Sequence, residues 1–339
     1  MGPGAGVTIR PELGQGYLEI DLMSMRQGYI WPRFMPLAVT EREAGVYPKI
    51  KLRSLLPKVS LDMLRRKSDG SYPRSTWEYE SDNFTTQEYG IEESVDDRAS
   101  RILRFQGLQA DQIAADRSAT SGMRAIEISA CTIVQDTTTY SAQKTTVVNE
   151  WDDATNATPI NDVKTGVEAF EARNGGLKPN LLVMNLKQAR NVLLCDQIRN
   201  ILGYRPSEGL SQEQLQGNAL MIARFESILA MVLGVPEVAI ADGFANSKLP
   251  GVAGSYTRIW SDESVSLMLV ASGGQDLKQP GFGRTMAWTG DGGGTGQALS
   301  IEDYYEPRVR SRVIRARFDI EQKVVHSELL QILENITTT

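Results

Sequence analysis

The sequence predicts an α+β fold, and three stretches carry that reading. Residues 151–202 run helix, tight stop, buried strand, helix. Residues 94–135 hold a long, mostly polar helical pattern, whereas residues 46–90 have almost no helical periodicity and 308–320 alternate with the period of two expected of strands. At 339 residues the chain suits two domains, or one with long excursions. Its 41% hydrophobic and 23% charged content is ample for a core, and the formal net charge of −6 argues against a duplex-DNA reader, which needs a basic face.

From the N-terminus, a Gly/Pro-rich opening and Gly28–Pro36, with Trp31 and two prolines, read as an arm over residues 1–45 that drapes over something. Between Val46 and Gly90, Lys49–Arg53 and Ser75–Glu80 alternate, with a turn at 68–71. The two arms differ in charge. Residues 49–67 carry Lys49, Lys51, Arg53, Lys58, Arg65, Arg66 and Lys67 against Asp62, while residues 78–97 carry Glu78, Glu80, Asp82, Glu88, Glu92, Glu93, Asp96 and Asp97 with no cation. Either the hairpin neutralises itself or the basic arm seeks an acidic surface on a neighbouring subunit; an excursion of this length favours the second.

Ser94 is placed to cap the long helix, with carboxylates at its positive end, and Gly107 and Gly122 mark bends. Thr137–Val148 reads as strand. Thr158 caps the next helix and Pro159 fits its first turn. Ile160, Val163, Val167 and Phe170 share one face, and Asn174-Gly175-Gly176 with Pro179 ends the helix. Leu181–Met184 reads as a strand buried on both faces, and Asn185 caps a helix showing Leu186, Ala189, Leu193, Ile198, Ile201 and Leu202 to the core.

Ser211 and Gln214 suggest a capping box for a helix reaching Leu233, ended by Gly234-Val235-Pro236 before a strand at Val238–Ala241. Tyr256–Trp260 and Val265–Val270 read as a hairpin, Pro280–Thr285 opens a strand through Trp288, and Gly290–Gly296 reads as a surface loop. In the C-terminal run Arg308, Arg310 and Arg312 face one side and Val309 and Val313 the other, then the phase slips at Ile314, predicting a bulge.

No reactive constellation emerges. There is no Gly-Lys phosphate loop and no Gly-x-Ser-x-Gly elbow. Cys195 lies mid-helix among apolar residues, the two cysteines have no metal spacing, and Asp152-Asp153 and Asp96-Asp97 are adjacent pairs whose side chains diverge. The single histidine, His326, reads as structural. No apolar run approaches the roughly 20 residues of a membrane span. Catalysis, cofactors and metals are not expected.

The order of Trp151-Asp152, Pro159-Ile160, Gly176-Leu-Lys-Pro-Asn180, Leu233-Gly-Val-Pro-Glu-Val238, Trp260, Pro280-Gly-Phe-Gly-Arg-Thr285 and Arg310-Ser-Arg312 resembles the major capsid protein of tailed bacteriophages, the Hong Kong 97-type fold. The resemblance covers about residues 45–335. It implies an L-shaped subunit: an arm and start of the peripheral domain at 1–45, an extended loop over a neighbour at 46–90, a peripheral domain with its spine helix at 91–149, an axial domain at 150–300, and a C-terminal strand returning to the peripheral domain at 301–339.

It also implies pentamers and hexamers tiling an icosahedral shell around double-stranded DNA, contacted non-specifically, in a virion assembled in the host cytoplasm with no membrane. A portal and possible decoration proteins are expected beside it. Only about 45 residues precede the excursion, so a separate scaffolding protein is expected, or a chain already trimmed. Some relatives crosslink a loop lysine to an asparagine; Lys49, Lys51, Lys58 and Lys67 lie in that region, but no asparagine motif answers them. The interface candidates are Lys49, Lys51, Arg53, Arg65, Arg66, Lys67, Trp77, Glu78, Glu80, Glu92, Glu93, Arg308, Arg310 and Arg312. The alternatives are an encapsulin-type shell holding cargo enzymes and a soluble α+β enzyme or ligand-binding protein.

Overall fold

The computed structural model describes residues 8–9, 28–52, 60–68, 70, 72, 74, 78–105, 109–202, 219–246, 254–273, 279–290 and 299–337. The first part holds β1 (Thr8–Ile9), α1 (Trp31–Phe34), β2 (Leu37–Thr40), β3 (Ala44–Ile50), α2 (Leu61–Leu64), β4 (Tyr79–Thr85) and β5 (Gln87–Asp96). Then come α3 (Asp97–Phe105), α4 (Ala110–Val134), β6 (Lys144–Thr146), α5 (Pro159–Arg173), β7 (Leu181–Asn185), α6 (Leu186–Leu194), α7 (Asp196–Leu202) and α8 (Ala219–Leu233). Strands dominate the rest: β8 (Glu237–Ala241), β9 (Phe244–Asn246), β10 (Tyr256–Arg258), β11 (Ser264–Met268), β12 (Gly283–Trp288), β13 (Ser300–Glu306), β14 (Ser311–Val324) and β15 (Leu330–Glu334).

Two sheets organise these elements. One runs β1-β13-β14-β12-β2, with β5 also paired to β14; the other runs β6-β15-β11-β7-β8. Against the first sheet lies α4, whose Ala114, Ala115 and Ala119 meet Ile301 and Ile314, while Met123 and Ile126 join Phe318 and Ile320. Small residues let the helix approach closely. At Gly122 an added Cβ would stand 3.0 Å from the Phe318 ring, so this glycine serves packing, and the helix runs unbroken through it.

The second sheet buries its two faces differently. Leu182, Met184, Val238, Ile240, Val265 and Leu267 meet the helix layer through Val163, Ala189, Val192, Phe225 and Leu229. Leu181, Val183, Met268, Leu330 and Ile332 point the other way, into the cluster with Trp31, Phe34 and Met123. The strand β7 is therefore covered on both faces, as its unbroken apolar run predicts. The last strand, β15, joins this second sheet, so the segment 301–339 is shared between the two.

The stop after α5 forms as expected: Gly175 and Gly176 take φ of 64° and 87°, and Gly176 N–H donates to Glu171 O at 2.8 Å. Thr158 occupies the cap position of α5, but its side chain takes no helix N–H.

Several other expectations are corrected. The helix expected after Asn185 is two helices, because Cys195 adopts an extended φ/ψ of −72°/148°; α7 sets off again from there and leaves Ile201 62% exposed. Residues 94–96 are strand, and Asp96, not Ser94, accepts from the first turn of α3 through Ala99 N–H at 3.4 Å. The long helix is divided into α3 and α4, and its Ile102, Ile113 and Ile128 are exposed.

Within Thr137–Val148 only β6 is strand. Tyr256–Trp260 and Val265–Val270 do not form a hairpin: β10 pairs with β9, while β11 pairs with β15 and β7. The bulge at Val313-Ile314 is absent, since both neighbours run through it in continuous register (Tyr304 and Asp303 on one side, Ser94 and Glu93 on the other). Arg308, Val309 and Arg310 belong to the preceding turn, where Arg310 takes a φ of 50°. The Ser211–Gln214 cap and residues 291–296 of the glycine loop lie outside the described residues.

Candidate assembly surface

The excursion begins as a ribbon in which β3, among the described residues, pairs with β4 alone, antiparallel, setting Lys49 opposite Glu80. Lys49 Nζ lies 4.0 Å from Glu80, and Lys51 lies 3.5 Å from Glu78 and 3.8 Å from Glu80. The base of the ribbon thus neutralises itself. Its distal basic residues behave differently. Arg65, Arg66 and Lys67 follow α2 and are exposed, with no ion pair among the described residues; Arg66 reaches only the Gly70 carbonyl, at 3.0 Å, and the Tyr72 ring.

The helix α2 itself is unusual. Ser60 caps it through Met63 N–H at 3.3 Å, yet it buries no residue: Leu61, Met63 and Leu64 are 88%, 54% and 53% exposed. Val46 and Tyr72 are exposed on the same excursion. Among the described residues, a run of exposed large apolar side chains is thus followed by three exposed cations without an ion pair. Arg53 and Trp77 lie outside the described residues.

The remaining candidates are divided. Glu92 binds Arg315 at 2.6 Å, and Arg315 also approaches the buried Glu302 at 3.7 Å. Glu93 lies 3.4 Å from Arg117, and Glu88 3.4 Å from Arg317. The acidic arm is therefore answered inside the subunit by β14 and α4. Arg312 joins that group, 2.8 Å from Asp111 and 3.3 Å from Asp303. Arg308 and Arg310 are exposed in the turn before β14. Among the described residues no three His, Cys, Asp or Glu are grouped to hold a metal, and no helix is long and apolar enough to cross a membrane.

Sequence reasoning missed Glu127, a buried carboxylate with three hydrogen-bond donors. It is fully buried in α4; its Oε2 accepts from Ile30 N–H at 3.1 Å and Trp31 N–H at 2.8 Å, and its Oε1 accepts from Trp260 Nε1 at 2.6 Å. Burial pushes its carboxyl up to about 7, against the pull of those three donors, and with no cation among the causes. The signal was available: Met123, Ile126, Ala130 and Val134 form an apolar stripe, and Glu127 interrupts it.

His326 is buried in the turn after β14, where its backbone N–H donates to Phe282 O at 3.1 Å. Burial, then the neighbouring Lys49, pushes its imidazole below the usual range. Cys131 and Cys195 are free and buried.

No protein-family model matches the sequence, and no curated protein matches it. Solved structures do. A phage-related protein from Bordetella bronchiseptica RB50 superposes with a TM-score of 0.65 at 17% identity, over 98% of this chain and 99% of that one. The capsid structure of Cyanophage P-SCSP1u gives 0.54 at 7% identity, over 91% and 88%. The virus-like particle of Pyrococcus furiosus gives 0.50 at 11%, over 92% and 95%. At these identities the likeness is one of fold. Along about nine-tenths of its length or more, this chain shares the fold of these three structures.

Proposed function

We propose that the chain is a major capsid protein of a tailed phage, with a Hong Kong 97-type subunit whose copies assemble as pentamers and hexamers into an icosahedral shell around double-stranded DNA. The observation that carries this reading is the excursion. Its β3–β4 ribbon packs on the body through Tyr47 and Phe84, and between the two strands the chain carries an apolar helix and a basic cluster that this subunit leaves exposed. Fold-level likeness over 88% of the cyanophage capsid chain and 95% of the virus-like-particle chain supports it.

On this reading the six-stranded sheet with α4 is the peripheral domain, the five-stranded sheet with α5 to α8 is the axial domain, and residues 46–90 lie over a neighbour. The mildly acidic balance suits an inner face that tolerates DNA without gripping it. A portal, scaffolding and decoration proteins, and the virion as location, enter with the reading. A shell enclosing protein cargo is the second reading, since a fold-level likeness does not fix what a shell encloses.

The test is expression of the full chain, alone and with the gene products encoded beside it, followed by electron microscopy and nuclease treatment. Closed shells support the proposal, and nuclease-protected DNA within them separates it from the cargo shell. A protein that stays monomeric under every condition overturns both.

A further inference from the structure

A cleft of about 760 Å³ opens at one end of the second sheet, where β6 and β15 finish and β11 begins. Four stretches wall it: the end of α4 at Gln135, the link after β6 at Glu150, the approach to β11 at Ser261 and Glu263, and the chain after β15 as far as Thr337. Hydrogen bonds tie these walls to one another. Trp151 N–H donates to Ile336 O at 2.7 Å, Ile336 N–H to Glu263 O at 3.0 Å, and Ser261 N–H to Gln135 Oε1 at 3.0 Å. The shape of the cleft is therefore set within the single subunit.

Its charge is one-sided. Among the described residues the lining carries three carboxylates, Glu150, Glu263 and Glu334, and no cation. Lys144 stands beside it, 3.1 Å from Glu334, and Lys187 is turned to Asp262 at 2.9 Å. Hydrogen bonds from Thr146, at 2.7 Å, and from Lys144 hold the Glu334 carboxyl below its ordinary range, so it is charged near neutrality.

An acidic rim alone is ordinary surface, but a second feature lies deeper. Thr337 lines the same cleft and is only 3% exposed, yet its Oγ1 has no hydrogen-bond partner among the described residues. A buried hydroxyl left in that state is unfavourable, and a donor reaching down the cleft would satisfy it. A metal ion does not fit: it needs its oxygen ligands to converge at about 2.0–2.6 Å, and no three carboxylates among the described residues are grouped to hold one. Carboxylates set apart, with hydroxyl acceptors between them, match a cation that brings several N–H donors at intervals.

We propose that this cleft binds an organic polycation, a molecule or segment bearing two or more ammonium or guanidinium groups, with one N–H reaching Thr337 Oγ1 and the others facing Glu150, Glu263 and Glu334. A free polyamine carries that chemistry, and so do Arg65, Arg66 and Lys67 of a second copy. The site belongs to one subunit and stands whether or not the shell reading does.

Calorimetric titration of the dilute full-length chain with spermidine at constant ionic strength tests it, with magnesium chloride as the control for charge alone. Binding is saturable, one per chain, and magnesium does not displace it. The double change Glu150→Gln and Glu263→Gln weakens it on the order of tenfold. Thr337→Val weakens it about fivefold and leaves the melting temperature at the wild-type value or above, since it removes an unpaired hydroxyl. Absence of saturable binding, displacement by magnesium, or an affinity unchanged in these variants overturns the site; should the double variant not fold, unchanged affinity in Thr337→Val overturns it alone. Affinity that falls as protein concentration rises, and recovers when Arg65, Arg66 and Lys67 are changed to Glu, supports the site with a second copy as the source of the cations. Affinity independent of concentration supports it with a free polyamine as the source.

Discussion

Asn185 and Gln188 cap α6 reciprocally: Gln188 N–H donates to Asn185 Oδ1 at 2.8 Å, and Asn185 N–H donates to Gln188 Oε1 at 2.9 Å. Both amide groups then reach across to the next strand's approach. Asn185 Nδ2 donates to Asp262 Oδ1 at 2.6 Å, and Gln188 Nε2 donates to the carbonyls of Asp262 at 2.8 Å and Ser264 at 2.9 Å. One capping box thereby fixes both the start of α6 and the entry of β11 into the sheet. Asn185→Ala is expected to cost about 2–3 kcal/mol, the loss of a cap plus buried carbonyl groups left unpaired. Urea denaturation measures it, and the double variant with Gln188→Ala should cost less than the sum.

Gly28 offers a backbone test. Its φ is +69°, and an added Cβ would stand 2.7 Å from the Asp242 carbonyl carbon and 2.8 Å from its Cα. Backbone cannot swing aside as a side-chain tip can, and Gly28 O also accepts from Asp242 N–H at 3.2 Å. Gly28→Ala should destabilise by about 1–3 kcal/mol from left-handed strain and overpacking together. Gly176→Ala, where φ is +87° but nothing lies within 4 Å of the added carbon, should cost only the conformational part. Comparing the two melting temperatures separates strain from collision.

What could be read in the sequence was local. The Asn174-Gly175-Gly176 stop, the apolar β7 and the Asn185 cap are each decided within a few residues, and all three stand as expected. What failed depended on partners far along the chain. Val265–Val270 looked like one arm of a hairpin because Tyr256–Trp260 precedes it, yet β11 pairs instead with β15, some 65 residues on, and with β7. Val313 and Ile314 looked like a bulge because both are apolar; with β13 and β5 on either side, the strand keeps its register and both residues are buried. On the candidate surface, charge pattern alone could not say which cations β4 would neutralise, whereas Arg65, Arg66 and Lys67 keep the exposure the reading needed. For Glu127 the sequence shows the break in an apolar stripe but not its partners, since backbone amides and an indole leave no trace of their direction in a sequence.

Glu127 and His326 should give opposite pH slopes to subunit stability. For Glu127 the folded value of about 7 lies above 4.5, so its stabilisation is complete below 4.5 and falls by roughly 3 kcal/mol as pH rises through 7. For His326 the folded value lies below 6.5, so its contribution is present above 6.5 and is lost as pH falls beneath it, when the unfolded chain takes the proton first. Between pH 5 and 7 the two partly cancel in the wild type. Glu127→Gln should leave a stability that rises with pH, and His326→Asn one that falls. Urea midpoints at pH 5, 6 and 7 check both directions.

The excursion gives the sharpest separation of folding from assembly. Leu61, Met63 and Leu64 bury nothing in the subunit, and Arg65, Arg66 and Lys67 form no ion pair among the described residues, so removing them should cost the monomer little. Changing Leu61 and Met63 to Ser, or the three cations to Glu, should move the melting temperature by no more than about 2 °C, in line with surface substitutions. Each contact is worth only about 0–1 kcal/mol if it is an exposed ion pair, and about 1.5–3 kcal/mol for a fully buried apolar side chain. Repeated at every subunit of a closed shell, such terms multiply, so assembly yield should drop at least tenfold. Lys49→Ala, whose partner Glu80 lies within the same ribbon, is the control and should leave yield near wild type. Size-exclusion chromatography and calorimetry on the same samples decide it: a parallel loss of monomer stability and of assembly would mean that α2 is a misread part of the subunit's own core.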